Sequence, residues 1–206
     1  MTLPAPATAK RGGGVKYRTI VADPPWRYDD GFALGPGHGQ LEQRPLPYQS
    51  MTVEQICSIP VASLADDDSR LFLWTTNRYL PDAFRVIRAW GFIYRQTLVW
   101  HKLGVNLPAS VAPNNVEFLL VGTRGAPERL ATLPSATFSI ARRSKHSTKP
   151  EAWLDHIEQI SPGPYVELFS RRHRLGWDVW GNESANTATL ESTREPDLFT
   201  ALEGTA

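Results

Sequence analysis

Asp23-Pro24-Pro25-Trp26 joins a carboxylate, two residues of fixed backbone angle and a large aromatic ring. Proline locks φ, so a carbonyl of Pro24 or Pro25 can be held rigidly toward a pocket. A carboxylate and a carbonyl that both accept from an exocyclic amine push its nitrogen toward sp³. That frees a lone pair otherwise delocalised into the aromatic ring. Asp23 supplies the carboxylate, and Trp26 offers a face on which a base can stack, worth about 1–3 kcal/mol. Asp and Pro are also common turn formers, so the competing reading is a stiff turn. A chance match is on the order of 10⁻⁴ to 10⁻³ for a chain of this size at average composition. The motif also follows a β-branched run directly. The chemistry that suits it is methylation of an exocyclic amine, which needs no strong base because the methylated aminium loses its proton readily.

The flanking pattern supplies the frame. Tyr17 to Ala22 reads as a strand ending at Asp23-Pro24, where proline's missing N–H stops the ladder. Thr52 caps a short helix over Val53 to Ser58, with Glu54 in its first turn. Leu71 to Thr75 is a continuous apolar run, the mark of a strand buried on both faces. Phe84, Ile87 and Trp90 give helical spacing over Pro81 to Trp90, and Gly91 suits the C-cap. Phe92 to Trp100 and Val116 to Gly122 read as strands. Pro150 opens a helix to about Ile160, and Tyr165 to Phe169 is a further strand. Strands alternating with helices predict an α/β fold: a mainly parallel sheet covered on both faces. Ligands then lie beyond the carboxyl ends of the strands. Asp29 to Ser50 and His101 to Asn115 are long irregular stretches, as lids or binding loops are.

The chain has 206 residues and a formal net charge of +1, so bulk basicity does not mark it as a nucleic-acid binder. Two local clusters break that neutrality: Arg142, Arg143, Lys145 and His146 through Lys149, and Arg171, Arg172, His173 and Arg174. Beside a pocket for the exocyclic amine of a base such clusters suit phosphate, which supplies most non-specific nucleic-acid affinity. Arg142, Arg143, Lys145, Arg172 and Arg174 are the candidate phosphate contacts. Cys57 is the single cysteine, which excludes an internal disulfide and a multi-Cys zinc site and fits a reducing cytoplasm. His38 and His101 have no second ligand at metal spacing, so no metal is expected. No apolar run reaches membrane length, and no signal peptide opens the chain. Residues 1–15 read as a disordered arm, 16–183 as one folded domain and 184–206 as a flexible tail. That leaves no room for a separate target-recognition domain.

Further segments belong with Asp23-Pro24-Pro25-Trp26: Leu46-Pro47-Tyr48 with Met51-Thr52, Leu71 to Asn77, Glu117 with Leu119 to Gly125, Ser147-Thr148-Lys149-Pro150, Glu167 to Arg171 and Gly176 to Glu183. Together they resemble the N6-adenine methyltransferases that include the methyltransferase-like (METTL) catalytic subunits of the mRNA N6-methyladenosine writers. The resemblance runs from Tyr17 to Glu183, and the chain looks like a prokaryotic or phage-type member. It implies a Rossmann-like sheet with permuted (β-class) motif order and S-adenosylmethionine as methyl donor. It implies that Asp23, Pro24, Pro25 and Trp26 are catalytic and that Tyr48, Trp26 and Asn77 line the base pocket. Asp23, Lys149, Glu167, Arg171, His173, Asn182 and Glu183 fall to the donor. Lys149 would pair with the donor's carboxylate; the competing reading is a solvated lysine at a helix start, where a cation is disfavoured. Glu167 can accept from ribose hydroxyls, as an acidic residue at a strand end does, or bridge to Arg171. Two positions depart from the mRNA writers, which have Gln at Glu183 and Asn at Arg174.

The expected activity is therefore adenine-N6 methylation of DNA by a monomer or homodimer. RNA methylation by the same chemistry is the alternative, and a catalytically inactive nucleic-acid-binding subunit is the reading from another class. A protein-glutamine methyltransferase usually carries Asn where this chain has Asp23.

Overall fold

In the computed structural model, which describes residues 14–28, 50–103, 114–132, 138–142 (backbone only), 149–170, 173–181 and 186–188, the first apolar run forms β1 (Tyr17–Ala22). There follow α1 (Val53–Cys57), β2 (Ala65–Thr75), α2 (Leu80–Ala89), β3 (Ile93–Leu103), β4 (Val116–Arg124), β5 (Phe138–Arg142), α3 (Ala152–Ile160), β6 (Tyr165–Leu168) and β7 (Trp177–Trp180). The strands make one seven-stranded sheet in the order β5-β3-β4-β2-β1-β6-β7.

β1 lies parallel to both β2 and β6, β6 parallel to β7, and β3 parallel to β5. The mainly parallel sheet is therefore present, with one exception: β4 runs antiparallel to both β2 and β3. Parallel neighbours need a crossover, usually a helix, and no helix pattern separates β3 from β4, so the pair closes as a hairpin. Two strands were absent from the expectation. β5 and β7 are short edge strands, and β7 reads Trp-Asp-Val-Trp, too brief to stand out by alternation alone.

Alternate residues of the central strands face opposite ways. Ile20, Leu71, Leu73 and Leu120 pack with Ile56, Val86, Ile87 and Trp90 beneath α1 and α2. Val21, Phe72, Trp74 and Leu119 pack with Trp153, Leu154 and Ile157 of α3 on the other face. Each such large side chain contributes about 1.5–3 kcal/mol on burial.

The helix ends follow their local chemistry. Thr52 and Gln55 form a reciprocal capping box at α1. α2 stops at Trp90, and Gly91 follows at φ +80°, where a side chain would be strained. Trp90 Nε1 donates to the Ile56 carbonyl at 2.9 Å, fastening α2 to α1. Among the described residues no helix is long and apolar enough to cross a membrane.

Candidate active site

The chain leaves the centre of the sheet at Asp23. The carbonyl of Pro24 accepts from the Trp26 amide at 2.8 Å, closing a tight turn around Pro25. The Pro25 carbonyl accepts from the Met51 amide at 2.8 Å, within an isolated bridge between Trp26 and Met51. The motif is thus stiffened by two proline rings and tied to the segment that leads into α1.

Trp26 does not play the part its ring suggested. It is 3% exposed, donates Nε1 to the Trp74 carbonyl at 3.2 Å and stacks on Tyr79, centroids 5.1 Å apart. A ring packed in this way anchors the turn and is not an open platform for a base. Tyr28 is the most accessible ring of this cluster, standing edge-on to Tyr79 at 5.3 Å with its hydroxyl turned in to 2.9 Å from Thr76 Oγ1. Burial, reinforced by the carboxylates of Glu117 and Asp23 and opposed by the bond to Thr76, pushes its phenol up to about 12. Asn77 is exposed at the head of the short 3₁₀ turn that carries Tyr79.

Behind Asp23 lies a row of alternating charges on the α3 face. Lys149 Nζ is 2.7 Å from Asp23 Oδ2 and 3.2 Å from Glu117 Oε2. Lys102 Nζ is 2.8 Å from Glu117 Oε1. The side chains of Lys149, Glu117 and Lys102 are 16%, 13% and 8% exposed. Strand register explains the meeting. Glu117 lies opposite Trp100 in the β3–β4 ladder, and Lys102, two residues on, shares that face as the diagonal neighbour. Lys149 comes in from the segment ahead of α3, its ammonium 5.3 Å from the centre of the Trp74 ring.

Burial works against both charged partners, yet the pairing outweighs it. Burial alone would lower the Lys149 ammonium, but Asp23 and Glu117 hold it above the usual lysine range. Burial alone would raise the Glu117 carboxyl, but Lys149 and Lys102 hold it below the usual carboxylate range. Lys149 is therefore no solvated lysine. Lys102 and Tyr28 were missed as site residues. An alternating strand pattern placing Lys102 on the face of Trp100 was the one available signal for the first. Tyr28 had only its place two residues beyond the motif tryptophan.

The other candidates divide. Glu167 lies on β6 beside Val21 and Val179 and accepts from Ser170 Oγ at 3.0 Å. His173 is exposed. Arg174 is drawn to α3 instead: its guanidinium is 2.9 Å from Glu158 and 2.6 Å from Asp155, while Trp177 Nε1 donates to Glu158 at 2.6 Å. Two carboxylates balance that charge, which leaves little for a phosphate. Arg142 is placed by its backbone in β5. Tyr48, Arg143, Lys145, Arg171, Arg172, Asn182 and Glu183 lie outside the described residues. Among the described residues no group of three or more His, Cys, Asp or Glu could hold a metal ion.

A Rossmann-like α/β sheet with Asp-Pro-Pro-Trp at the carboxyl end of its central parallel strand places the chain among the methyltransferases. The chain belongs to the MT-A70 family, which it matches over residues 17–183. It is 30% identical over 182 residues to the Type II methyltransferase M.MunI of a Mycoplasma species, covering 82% of this chain and 78% of that one. It is 26% identical over 178 residues to the human N(6)-adenosine-methyltransferase catalytic subunit METTL3, covering 82% of this chain and 28% of that one. Human N(6)-adenine-specific methyltransferase METTL4 is 27% identical over 189 residues, with 81% and 37% covered. The chain thus spans well under half the length of these two human relatives.

Proposed function

We propose that the protein transfers a methyl group from S-adenosylmethionine to the exocyclic N6 amine of adenine in DNA, as a cytoplasmic enzyme. The observation that carries the reading is the Asp23–Lys149 contact at 2.7 Å, beside the stiffened Pro24–Trp26 turn.

Lys149 bonds one carboxylate oxygen of Asp23 and leaves Oδ1 to accept from the amine. The Pro24 carbonyl has two lone pairs, of which the Trp26 amide takes one. The Pro25 carbonyl likewise gives one lone pair to the Met51 amide, so either proline carbonyl can be the second acceptor. Two acceptors held in place draw the amine's protons and localise its lone pair, with no reorganisation at the moment of attack. The aminium that results is a strong acid and releases its proton to solvent.

The residues fit the donor. S-adenosylmethionine supplies an electrophilic methyl group when bound. It carries a carboxylate, an ammonium and ribose hydroxyls, which need one cation and several acceptors. An ammonium has three donors, and Asp23 and Glu117 take two of those on Lys149. The third remains for the donor's carboxylate. Asp23 suits the ammonium and Glu167 the ribose hydroxyls, with Arg171, His173, Asn182 and Glu183 as the further contacts.

DNA is favoured because the relative covered over 78% of its own length is a Type II methyltransferase. The adenosine enzyme METTL3 is covered over only 28% of its length. Tritium transfer from labelled donor to matched DNA and RNA oligomers, with nucleoside analysis, tests the reading. Label in N6-methyldeoxyadenosine is expected. Label in the RNA product alone would move the activity to RNA, and no label in either would overturn it.

A further inference from the structure

Lys102 is one of the most deeply buried cations described, yet no step of the transfer touches it. Its ammonium is 2.8 Å from Glu117 Oε1, and its backbone amide donates to the Asn115 carbonyl at 2.7 Å. The side chain extends past Trp100, Nζ 5.8 Å from the ring centre. Stability alone does not call for such a pair. Replacing a buried ion pair by apolar residues of similar volume is often neutral or stabilising, whereas removing one partner strands the other.

We propose that Lys102 is a positioning residue for methyl transfer: by neutralising Glu117 it leaves Lys149 committed to Asp23. The inference rests on the methyltransferase reading of the same site. Charges alternate along the row Asp23, Lys149, Glu117, Lys102, and the four balance. Lys149 lies nearer Asp23, at 2.7 Å, than Glu117, at 3.2 Å. Without Lys102, Glu117 carries an unbalanced charge in a poorly hydrated place, and among the described residues Lys149 is the cation within reach. Drawn toward Glu117, it releases Asp23 Oδ2, and the carboxylate is free to turn into solvent. The amine then meets a mobile acceptor. The loss falls mainly on the transfer step, with a smaller loss of donor affinity because Lys149 and Asp23 also face the donor.

The test compares wild type with K102M, E117Q, K102M/E117Q and K102R. Single-turnover transfer to adenine-containing DNA is followed across pH, with donor affinity by calorimetry and Tm for each variant. K102M is expected to slow transfer about 10- to 100-fold, the scale of a misplaced reacting group, with a smaller fall in donor affinity. The double variant restores charge balance, so it transfers faster than K102M. Among the described residues the groups facing Glu117 are Lys102 from β3 and Lys149 from ahead of α3, with Asp23 and Tyr28 beyond. Protonating Glu117 in K102M therefore returns Lys149 to Asp23. Its rate rises as pH falls toward the carboxylate range, a limb that wild type and the double variant lack. K102R keeps the charge and retains most of the rate.

A double variant no faster than K102M, or a K102M pH profile parallel to wild type, overturns the inference. Should K102M be too unstable, E117Q against the double variant decides: an equal or faster double variant supports it, a slower one overturns it. A wild type that methylates no adenine polymer overturns the functional reading and this inference together. An active wild type with the outcomes above overturns this inference alone.

Discussion

Trp26 lies flat against Tyr79, with ring centroids 5.1 Å apart and planes inclined by 16°. The contact joins the Asp23–Trp26 turn after β1 to the 3₁₀ turn after β2, so two strand ends share one aromatic clamp. Trp26→Ala is expected to destabilise the fold by about 3–5 kcal/mol, as large-to-small changes in a core do. Urea denaturation measures it. A loss below about 1 kcal/mol would show the ring to be dispensable for stability and return it to the role of base platform.

Asp23→Ala should abolish methyl transfer while leaving donor binding measurable by calorimetry. Asp23→Asn retains shape but loses the charge that pairs with Lys149, so it too should be inactive on any oligomer. Full activity in either variant would sink the assignment of Asp23.

Lys149→Ala should weaken donor affinity by about 1.5–3 kcal/mol, the range of a charged hydrogen bond. An unchanged affinity would take Lys149 out of the donor site and leave it as a partner of Asp23 and Glu117.

Acid should destabilise the protein through the carboxylates it has paired. Glu117 is held low by Lys149 and Lys102 against the effect of burial, and Glu158 is held low by its bonds from Arg174 and Trp177. A carboxyl lowered in the folded state adds stability above its unfolded range and loses it as pH falls through the folded value. Tm should therefore drop below the ordinary carboxylate range. In Lys149→Ala the drop should begin at higher pH, because Glu117 has lost one of its two cations. Coincident Tm curves for the two proteins would contradict the pairing.

Arg174→Ala separates two uses of that side chain. With Asp155 and Glu158 balancing it, the change should lower Tm slightly and leave the slope of log K against log salt for DNA as in wild type. A slope reduced by about 1 would mean a lost phosphate contact.

The parts legible in the sequence were those set by local chemistry. β1 and its proline stop, the Thr52 cap, the Gly91 end of α2 and the α3 start near Pro150 all follow from side chains next to the backbone they govern. The reversal of β4 depends on what its neighbours do, and β5 and β7 are too short for their pattern to speak. The same division runs through the site. Asp23 and Lys149 were legible because a rare motif and a misplaced cation mark them. The part played by Trp26 was not, because Tyr79 reaches it only through the packing of two strand ends. Lys102 became visible once the register put it diagonal to Glu117.

The reversal of β4 fixes where the β3–β4 connection meets the sheet. Because that strand starts where its parallel neighbours finish, the connection from Leu103 to Asn114 leaves and rejoins the sheet at the rim formed by their carboxyl ends. Lys102 and Glu117 clasp its two roots, and the Lys102 amide bonds to Asn115 between them. The clasp fixes the two ends of that connection, so the β3–β4 ladder keeps its register whatever length of chain joins them.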